Sequence, residues 1–232
     1  MRVVHAPASA REVSTRLAFL LRERLRSEAE TREIAAKSCI YTLGQKDSHV
    51  YLIEHGTVKA HTFSEGGKSC ILGIYSHDEI FGDSCLIGPY RRETATAMTD
   101  VLLKRIPRSR FMEIVSSPEI SADWSCYQVK RLQEQQETIT LLITVDSMQR
   151  LAAILLMLAE RLGIRRGDRT IITNRFTHEE LAQMVGTTRS RIGLFLKQFQ
   201  QEGLIHVSRD SYLVLRQAHL RAFLSTRARQ PI

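Results

Sequence analysis

The sequence predicts an α+β chain in three parts: a β-rich N-terminal domain, a long central helix and a C-terminal helical domain closed by a short hairpin. Three observations carry this. Short β-type runs separated by turn residues fill positions 36–115. From Pro118 to Arg165 the one strong helix breaker is Gly163, and apolar residues recur in alternating steps of three and four. Thr177–Gly203 then holds two amphipathic helical patterns joined at a glycine.

Residues 1–34 read as helical, because Leu17, Leu20, Leu21 and Leu25 share one helical face with Arg and Glu elsewhere. The β-type runs are Ser38–Leu43, His49–Ile53, Thr57–Thr62, Ser69–Tyr75, Ala95–Met98 and Val101–Ile106. Turn signals at Gly44–Ser48, His55-Gly56, Ser64–Lys68 and Ser76–Glu79 separate them. Many short strands at such spacing imply an antiparallel sandwich or barrel.

In the central helix, Ala122, Ser125, Val129, Leu132, Gln136, Ile139 and Ile143 form a heptad seam, flanked by Lys130, Arg131, Glu134 and Glu137. A seam on a single helix needs a partner helix. A parallel coiled-coil contact between two copies of the chain is preferred to packing within its own domain. Gln136 is polar on this seam, where it either sets the register or faces a ligand. Asp146–Leu162 reads as a separate helix, buried on more than one side through Leu151–Leu158, and Gly163–Asn174 as a charged connector.

The stretch THEELAQMVGTTRSRIGLFLKQFQQEG, Thr177 to Gly203, is the most informative. Thr177 with Glu180 makes a capping box that starts a helix. Leu181, Ala182 and Val185 form its inner face, and Gly186 supplies a turn in the left-handed conformation that glycine tolerates. Thr187 or Thr188 caps a second helix with inner face Ile192, Phe195, Leu196 and Phe199, ended by Gly203. A small residue at the crossing, a glycine four later and an apolar residue six further on are the spacing of a helix-turn-helix. In that motif the first turn of the second helix meets base edges in the major groove of double-stranded DNA. Arg189 is the expected base reader, since Arg bonds both O6 and N7 of guanine. Thr188 and Ser190 are placed to meet a base or a phosphate, and Arg191 and Lys197 to meet phosphates. Leu204–Val207 and Tyr212–Leu215 then read as a wing hairpin with Arg209 at its tip, near the DNA backbone.

Composition narrows the classes. The 232 residues are 43% hydrophobic and 25% charged, an ordinary globular balance that allows one large or two modest domains. The formal net charge of +8 favours an anionic partner. The longest apolar run, Leu151–Ala159, is short of the roughly 20 residues a membrane span needs. Arg11, Arg16, Arg22, Glu23 and Arg24 break up any signal peptide, so no membrane partner is expected. Cys39, Cys70, Cys85 and Cys126 show no C-x-x-C spacing, which speaks against zinc or iron–sulfur centres and for reduced thiols in the cytoplasm. No cofactor is indicated. An enzyme on the barrel would need a His/Glu metal set on neighbouring strands, and no such spacing falls between 38 and 106. The chain is therefore expected not to be an enzyme.

The order of parts resembles the Crp/Fnr family of bacterial transcription regulators over residues 36–215. The residues carrying the resemblance include Gly44 with Tyr51-Leu52-Ile53, Gly56-Thr57-Val58-Lys59, Phe81-Gly82-Asp83-Ser84-Cys85-Leu86, Asp146 with Arg150-Leu151, and Glu179-Glu180-Leu181-Ala182 through Arg189. The resemblance implies a cupin-like β jelly-roll sensor domain with an N-terminal helix over 1–117. It implies a dimerisation helix over 118–145, with Val129, Leu132, Gln136, Ile139 and Ile143 at the interface. It implies a winged helix-turn-helix domain over 146–232. Further implications are effector control, a homodimer on a two-fold symmetric site and RNA polymerase as a candidate partner.

In the cyclic-AMP-binding members a Gly-Glu-Leu turn and an Arg-Ser pair cradle the nucleotide. Laid over this chain, those positions are Gly82, Asp83, Glu93 and Thr94, with Gln135 and Gln136 of the long helix completing the pocket. Glu93 sets a carboxylate where the phosphate needs a guanidinium. Arg92 is adjacent but points to the other side of an extended segment. The expected effector is thus a small molecule other than cyclic AMP, with an effector-independent or redox-responsive regulator as the alternative. The chain lacks an N-terminal cysteine cluster. His49, His55, His61 and His77 are expected as surface or satisfied side chains rather than haem ligands, and Cys85 as buried structure. The recognition helix also departs from the family pattern Arg-Glu-x-x-x-Arg: Ser190 replaces the Glu and Leu194 the second Arg. A sensor acting mainly through protein partners would carry a neutral face here, and this one is basic.

Overall fold

The computed structural model describes residues 10–25, 28–208, 210 and 212–227. These group into two compact units, one within 1–68 and 72–135, the other within 69–71 and 136–232.

The first unit opens with α1 (Ala10–Leu25), whose Leu17, Ala18, Leu21 and Leu25 are closed to solvent. The strands are β1 (Glu30–Ile34), β2 (Cys39–Tyr41), β3 (His49–His55), β4 (Val58–Phe63), β5 (Ser69–Tyr75), β6 (Ile80–Phe81), β7 (Thr94–Ala97) and β8 (Val101–Pro107). They form two four-stranded sheets, ordered β1-β8-β3-β6 and β2-β7-β4-β5. Strand β3 shows how they are layered. Tyr51 and Ile53 join Tyr41, Val58, Phe81, Ala95, Ala97 and Leu103 in a core shared by both sheets. Val50 and Leu52, one step out of phase, join Leu17, Leu21, Phe111, Ile114 and Tyr127 in a second core against the helices. Side chains alternate across a strand, so one covered on both faces reads as a continuous apolar run. After β8 come α2 (Arg108–Val115) and α3 (Ser121–Thr144).

The second unit holds α4 (Ser147–Leu162), β9 (Gly163–Arg166), β10 (Arg169–Ile172), α5 (His178–Val185), α6 (Arg189–Gln201), β11 (Ile205–Val207), β12 (Leu213–Leu215) and α7 (Gln217–Arg227). Asp146 caps α4 in a reciprocal box with Gln149. Arg150 bonds the carbonyls of Leu141 at 3.2 Å and Leu142 at 2.6 Å, supplying partners for the open end of α3. The four strands form one sheet, β11-β12-β10-β9.

The α+β architecture with a β-sandwich, a long helix and a winged helix-turn-helix is as the sequence indicates, with four corrections. The helical reading stops at Leu25, where the leucine face ends. Residues 30–34 are instead an edge strand paired with β8, Glu30 opposite Arg105. Residues 108–115 form a helix rather than part of the β texture. The long helix begins at Ser121, after a turn containing Pro118. Residues 163–172 are a hairpin, not a bare connector, with Gly167 at φ 61° in its turn. The short β6 is a further strand that the run-based reading does not contain.

Candidate functional site

The helix pair α5–α6 is built by local rules. The Thr177 hydroxyl accepts from the Glu180 amide at 3.1 Å while the Glu180 carboxylate accepts from the Thr177 amide at 2.9 Å, closing the capping box. Gly186 ends α5 at φ 71°, in the left-handed region. The Thr188 hydroxyl caps α6 by accepting from the Arg191 amide at 3.4 Å, and it lies 3.1 Å from the Ser190 hydroxyl. Leu181, Ala182, Val185, Ile192, Leu196 and Phe199 are buried, which locks the two helices together. Phe195 is only half-buried, with the Arg191 guanidinium 5.6 Å from its ring centre.

With that inner face fixed, 3.6 residues per turn put Ser190, Leu194 and Lys197 at the middle of the outer face. Arg189 and Arg191 stand on its two flanks. Thr188, Arg189, Ser190, Arg191 and Lys197 are all exposed. The face is cationic and open, with a helix N-terminus adding partial positive charge at its first turn. Arg209, at the expected wing tip, lies outside the described residues.

In the β-sandwich, four of the expected effector residues, Gly82, Asp83, Glu93 and Thr94, lie around one turn. Gly82 sits at φ 75°, and a Cβ there would come 2.9 Å from Arg91 Nη1 and 3.0 Å from the Tyr51 ring. Its carbonyl accepts from Arg91. Asp83 starts a 3-10 turn, Asp83–Leu86, and its Oδ2 accepts from Arg131 at 2.7 Å and Gln128 at 3.3 Å. Glu93 Oε1 accepts from the Tyr41 hydroxyl at 2.8 Å and the Ser84 hydroxyl at 3.3 Å. The Thr94 hydroxyl accepts from the Leu43 amide at 3.0 Å. Arg92 is exposed while Glu93 is half-buried, as the extended-segment argument expects. Gln135 and Gln136 are exposed on α3; the α3 side chains that meet this turn are Gln128 and Arg131.

Several residues that sequence reasoning did not single out organise this region. Arg91 is buried and bonds Asp47 Oδ2 through Nε at 3.2 Å and Nη2 at 2.6 Å, and the His49 carbonyl at 2.5 Å. Its guanidinium lies 4.0 Å from the Tyr41 ring centre. Tyr41, Tyr51 and Phe81 stack with centroids 5.1–6.1 Å apart. Burial would lower the Arg91 pKa, but the bonds to Asp47 outweigh it and hold the charge. Burial, then the Glu93 charge, push the Tyr41 phenol well above its usual range, so it stays a donor. The one available signal was the alternate spacing of Asp47, His49 and Tyr51, which sets His49 and Tyr51 on one face of β3 with Asp47 in the loop just before it. His49 Nδ1 lies 2.7 Å from Asp47, and His77 Nδ1 2.6 Å from the Glu54 carbonyl. Cys85 is buried. Among the described residues no group of three or more His, Cys, Asp or Glu could hold a metal ion, and no helix is long and apolar enough to cross a membrane.

Along α3 the whole heptad seam, Ala122, Ser125, Val129, Leu132, Gln136, Ile139 and Ile143, is at least partly open to solvent. Val129, Leu132 and Ile139 are each 54% exposed and Ile143 78%.

Two family models match the chain: a cyclic nucleotide-binding domain over residues 31–117 and a Crp-like helix-turn-helix domain over 149–223. A CRP-like cAMP-activated global transcriptional regulator of Mycobacterium tuberculosis is 29% identical over 177 residues, covering 75% of this chain and 79% of that protein. Electron transport regulator A of Shewanella oneidensis is 25% identical over 191 residues, covering 82% and 76%. A CRP/FNR-family regulator from Thermus thermophilus superposes with a TM-score of 0.70 at 26% identity, over 84% of this chain and 98% of that one. FixK2 from Bradyrhizobium japonicum shares the fold, with a TM-score of 0.73 at 20% identity over 84% and 96%. A sensor sandwich, a long helix and a winged helix-turn-helix, the first and last matched in that order by the two models, make the chain a member of the Crp/Fnr family of bacterial transcription regulators.

Proposed function

We propose that the chain acts as a homodimer on a two-fold symmetric DNA site, with sensing assigned to residues 1–117, dimerisation to 118–145 and DNA binding to 146–232. The observation that carries this is the open cationic face of α6, with Arg189, Ser190, Arg191 and Lys197 exposed together. Arg189 reads a guanine edge. Arg191 and Lys197 meet phosphates. Thr188 serves the helix first, because its hydroxyl is engaged in the cap. The exposed seam Val129, Leu132, Gln136, Ile139 and Ile143 is the dimer surface, and RNA polymerase is a candidate partner of the DNA-bound form.

Cyclic AMP is not the effector in this reading, although the Mycobacterium tuberculosis relative is named cAMP-activated. Glu93 would face the cyclic phosphate with like charge. Two guanidinium groups at Gly82's turn are engaged within the chain, Arg91 with Asp47, Gly82 and His49, and Arg131 with Asp83 and Tyr75. Gly82, Asp83, Glu93, Thr94, Gln135 and Gln136 remain the proposed surroundings of any other effector. A specific observation favours the effector-independent alternative: Asp83, Glu93 and Thr94 each already have partners within the chain.

Selection of bound sequences from randomised duplexes tests DNA binding; enrichment of a palindrome is expected, and enrichment of nothing would sink the reading. A melt in millimolar cyclic AMP tests the effector. A micromolar site would stabilise the fold by about 4 kcal/mol at a thousandfold excess, whereas no shift is expected. Native mass spectrometry of the DNA complex separates the last alternative, which predicts protein and DNA masses with no added ligand.

A further inference from the structure

We propose that Leu194 reads the C5-methyl group of a thymine in the major groove, and that this apolar contact is a specificity determinant of the site. The inference rests on the DNA-binding reading above and adds a residue to it. Leu194 is 67% exposed, the one exposed large apolar side chain among the described residues of α6. Exposure alone would mean little, since single apolar residues are common on surfaces. Its position is what matters. With Ile192, Leu196 and Phe199 buried, Leu194 stands at the middle of the outer face, between Ser190 and Lys197.

Whatever α6 docks against must meet that side chain. Leu194 has no donor or acceptor, so it can bond neither a phosphate nor a polar base edge. The major groove offers an isobutyl group one apolar feature, the thymine methyl. Its neighbours leave room for the approach. Gly193 carries no side chain, and a Cβ there would come 3.5 Å from the His178 ring. Arg191 leans over Phe195 on the flank, away from Leu194. Five residues of helix rise separate Leu194 from Arg189, about 7.5 Å, so the thymine falls within about two base-pair steps of the guanine that Arg189 reads.

Deoxyuridine differs from thymidine by this methyl alone. In the site selected by the full chain, each thymine is replaced in turn by deoxyuridine, and affinity is measured for wild type, Leu194→Ala and Arg189→Ala. Wild type is expected to lose about fourfold at one position per half-site, and about fifteenfold when both are replaced, the effect of one buried carbon. Leu194→Ala should be indifferent at that position, and Arg189→Ala should keep the sensitivity. A scan that is flat for wild type, or unchanged in Leu194→Ala, overturns the assignment while leaving DNA binding intact. A selection that enriches no sequence overturns the DNA-binding reading and this proposal with it.

Discussion

Asp47 and Arg91 form an ion pair of 2.6 Å in which the arginine side chain is fully closed to solvent and the aspartate 5% exposed. The pair ties the loop before β3 to the segment before β7, and Gly82's carbonyl is held by the same guanidinium. Burial alone would raise the Asp47 pKa; the hydrogen bonds from Arg91, His49 and Tyr51 outweigh it and hold the carboxyl below its ordinary value. Asp47→Asn leaves a buried cation without its counter-charge and should cost about 3–5 kcal/mol at neutral pH. The pH dependence follows from the sign of the shift. The contribution is complete above the unfolded-state value, shrinks as the pH falls below it and is gone below the folded-state value. The stability gap in urea between wild type and Asp47→Asn should therefore narrow progressively as the pH falls through and below the unfolded-state value. A gap that stays constant would show that the carboxylate charge is not what stabilises the loop.

Arg131 makes a second such bridge, from α3 to Asp83 at 2.7 Å and to the Tyr75 hydroxyl at 3.0 Å. Its guanidinium lies 5.4 Å from the Tyr75 ring centre and 5.9 Å from that of Tyr127. Arg131→Ala should cost about 2 kcal/mol, the range of a charge-assisted hydrogen bond that keeps some solvent access. Arg131→Lys should recover only part of this, because an ammonium lacks the planar fork that serves Asp83 and Tyr75 together. Urea midpoints of the three proteins at one pH check the order; equal midpoints for Lys and Ala would mean that charge adds nothing here.

The recognition pair was legible because its signals are local. Thr177, Glu180, Gly186 and Thr188 lie within one short stretch and each acts on its own helix end. Strand β1 was illegible for the opposite reason. Glu30–Ile34 has no buried face to alternate against; its position comes from pairing with β8, far along the chain. The sensor region was half legible. Glu93 stood out against the family pattern, but its partner Tyr41 is 52 residues away, and Asp47 and Arg91 are 44 apart. No periodicity links such residues. The α3 residues that reach Asp83, Gln128 and Arg131, precede the expected Gln135 and Gln136 by one to two helical turns, a register that depends on how the helix packs on the sheet.

Leu132 probes the seam without disturbing the chain's own core, because it is 54% exposed. Leu132→Glu should leave the helical signal and melting of the isolated chain nearly unchanged while placing two like charges at the dimer axis. Sedimentation at micromolar concentration should then show monomers where wild type shows dimers. Because paired recognition helices share one operator, DNA affinity should fall with dimerisation. A stable Leu132→Glu dimer would move the interface off this face.

The base-reading role proposed for Arg189 and the phosphate role proposed for Lys197 can be tested apart on one helix. Both are exposed, so alanine at either position removes little from the fold. Lys197→Ala should weaken binding to every sequence alike and make the slope of log affinity against log salt shallower by about 0.9 for each phosphate no longer neutralised. In a two-fold complex that is close to two. Arg189→Ala should instead lose about 1–3 kcal/mol against the selected site in each half, with little change for a duplex whose guanine has been replaced. The affinity ratio between the two duplexes is the decisive quantity: it should collapse for Arg189→Ala and persist for Lys197→Ala. Collapse for Lys197→Ala and persistence for Arg189→Ala would exchange the two roles.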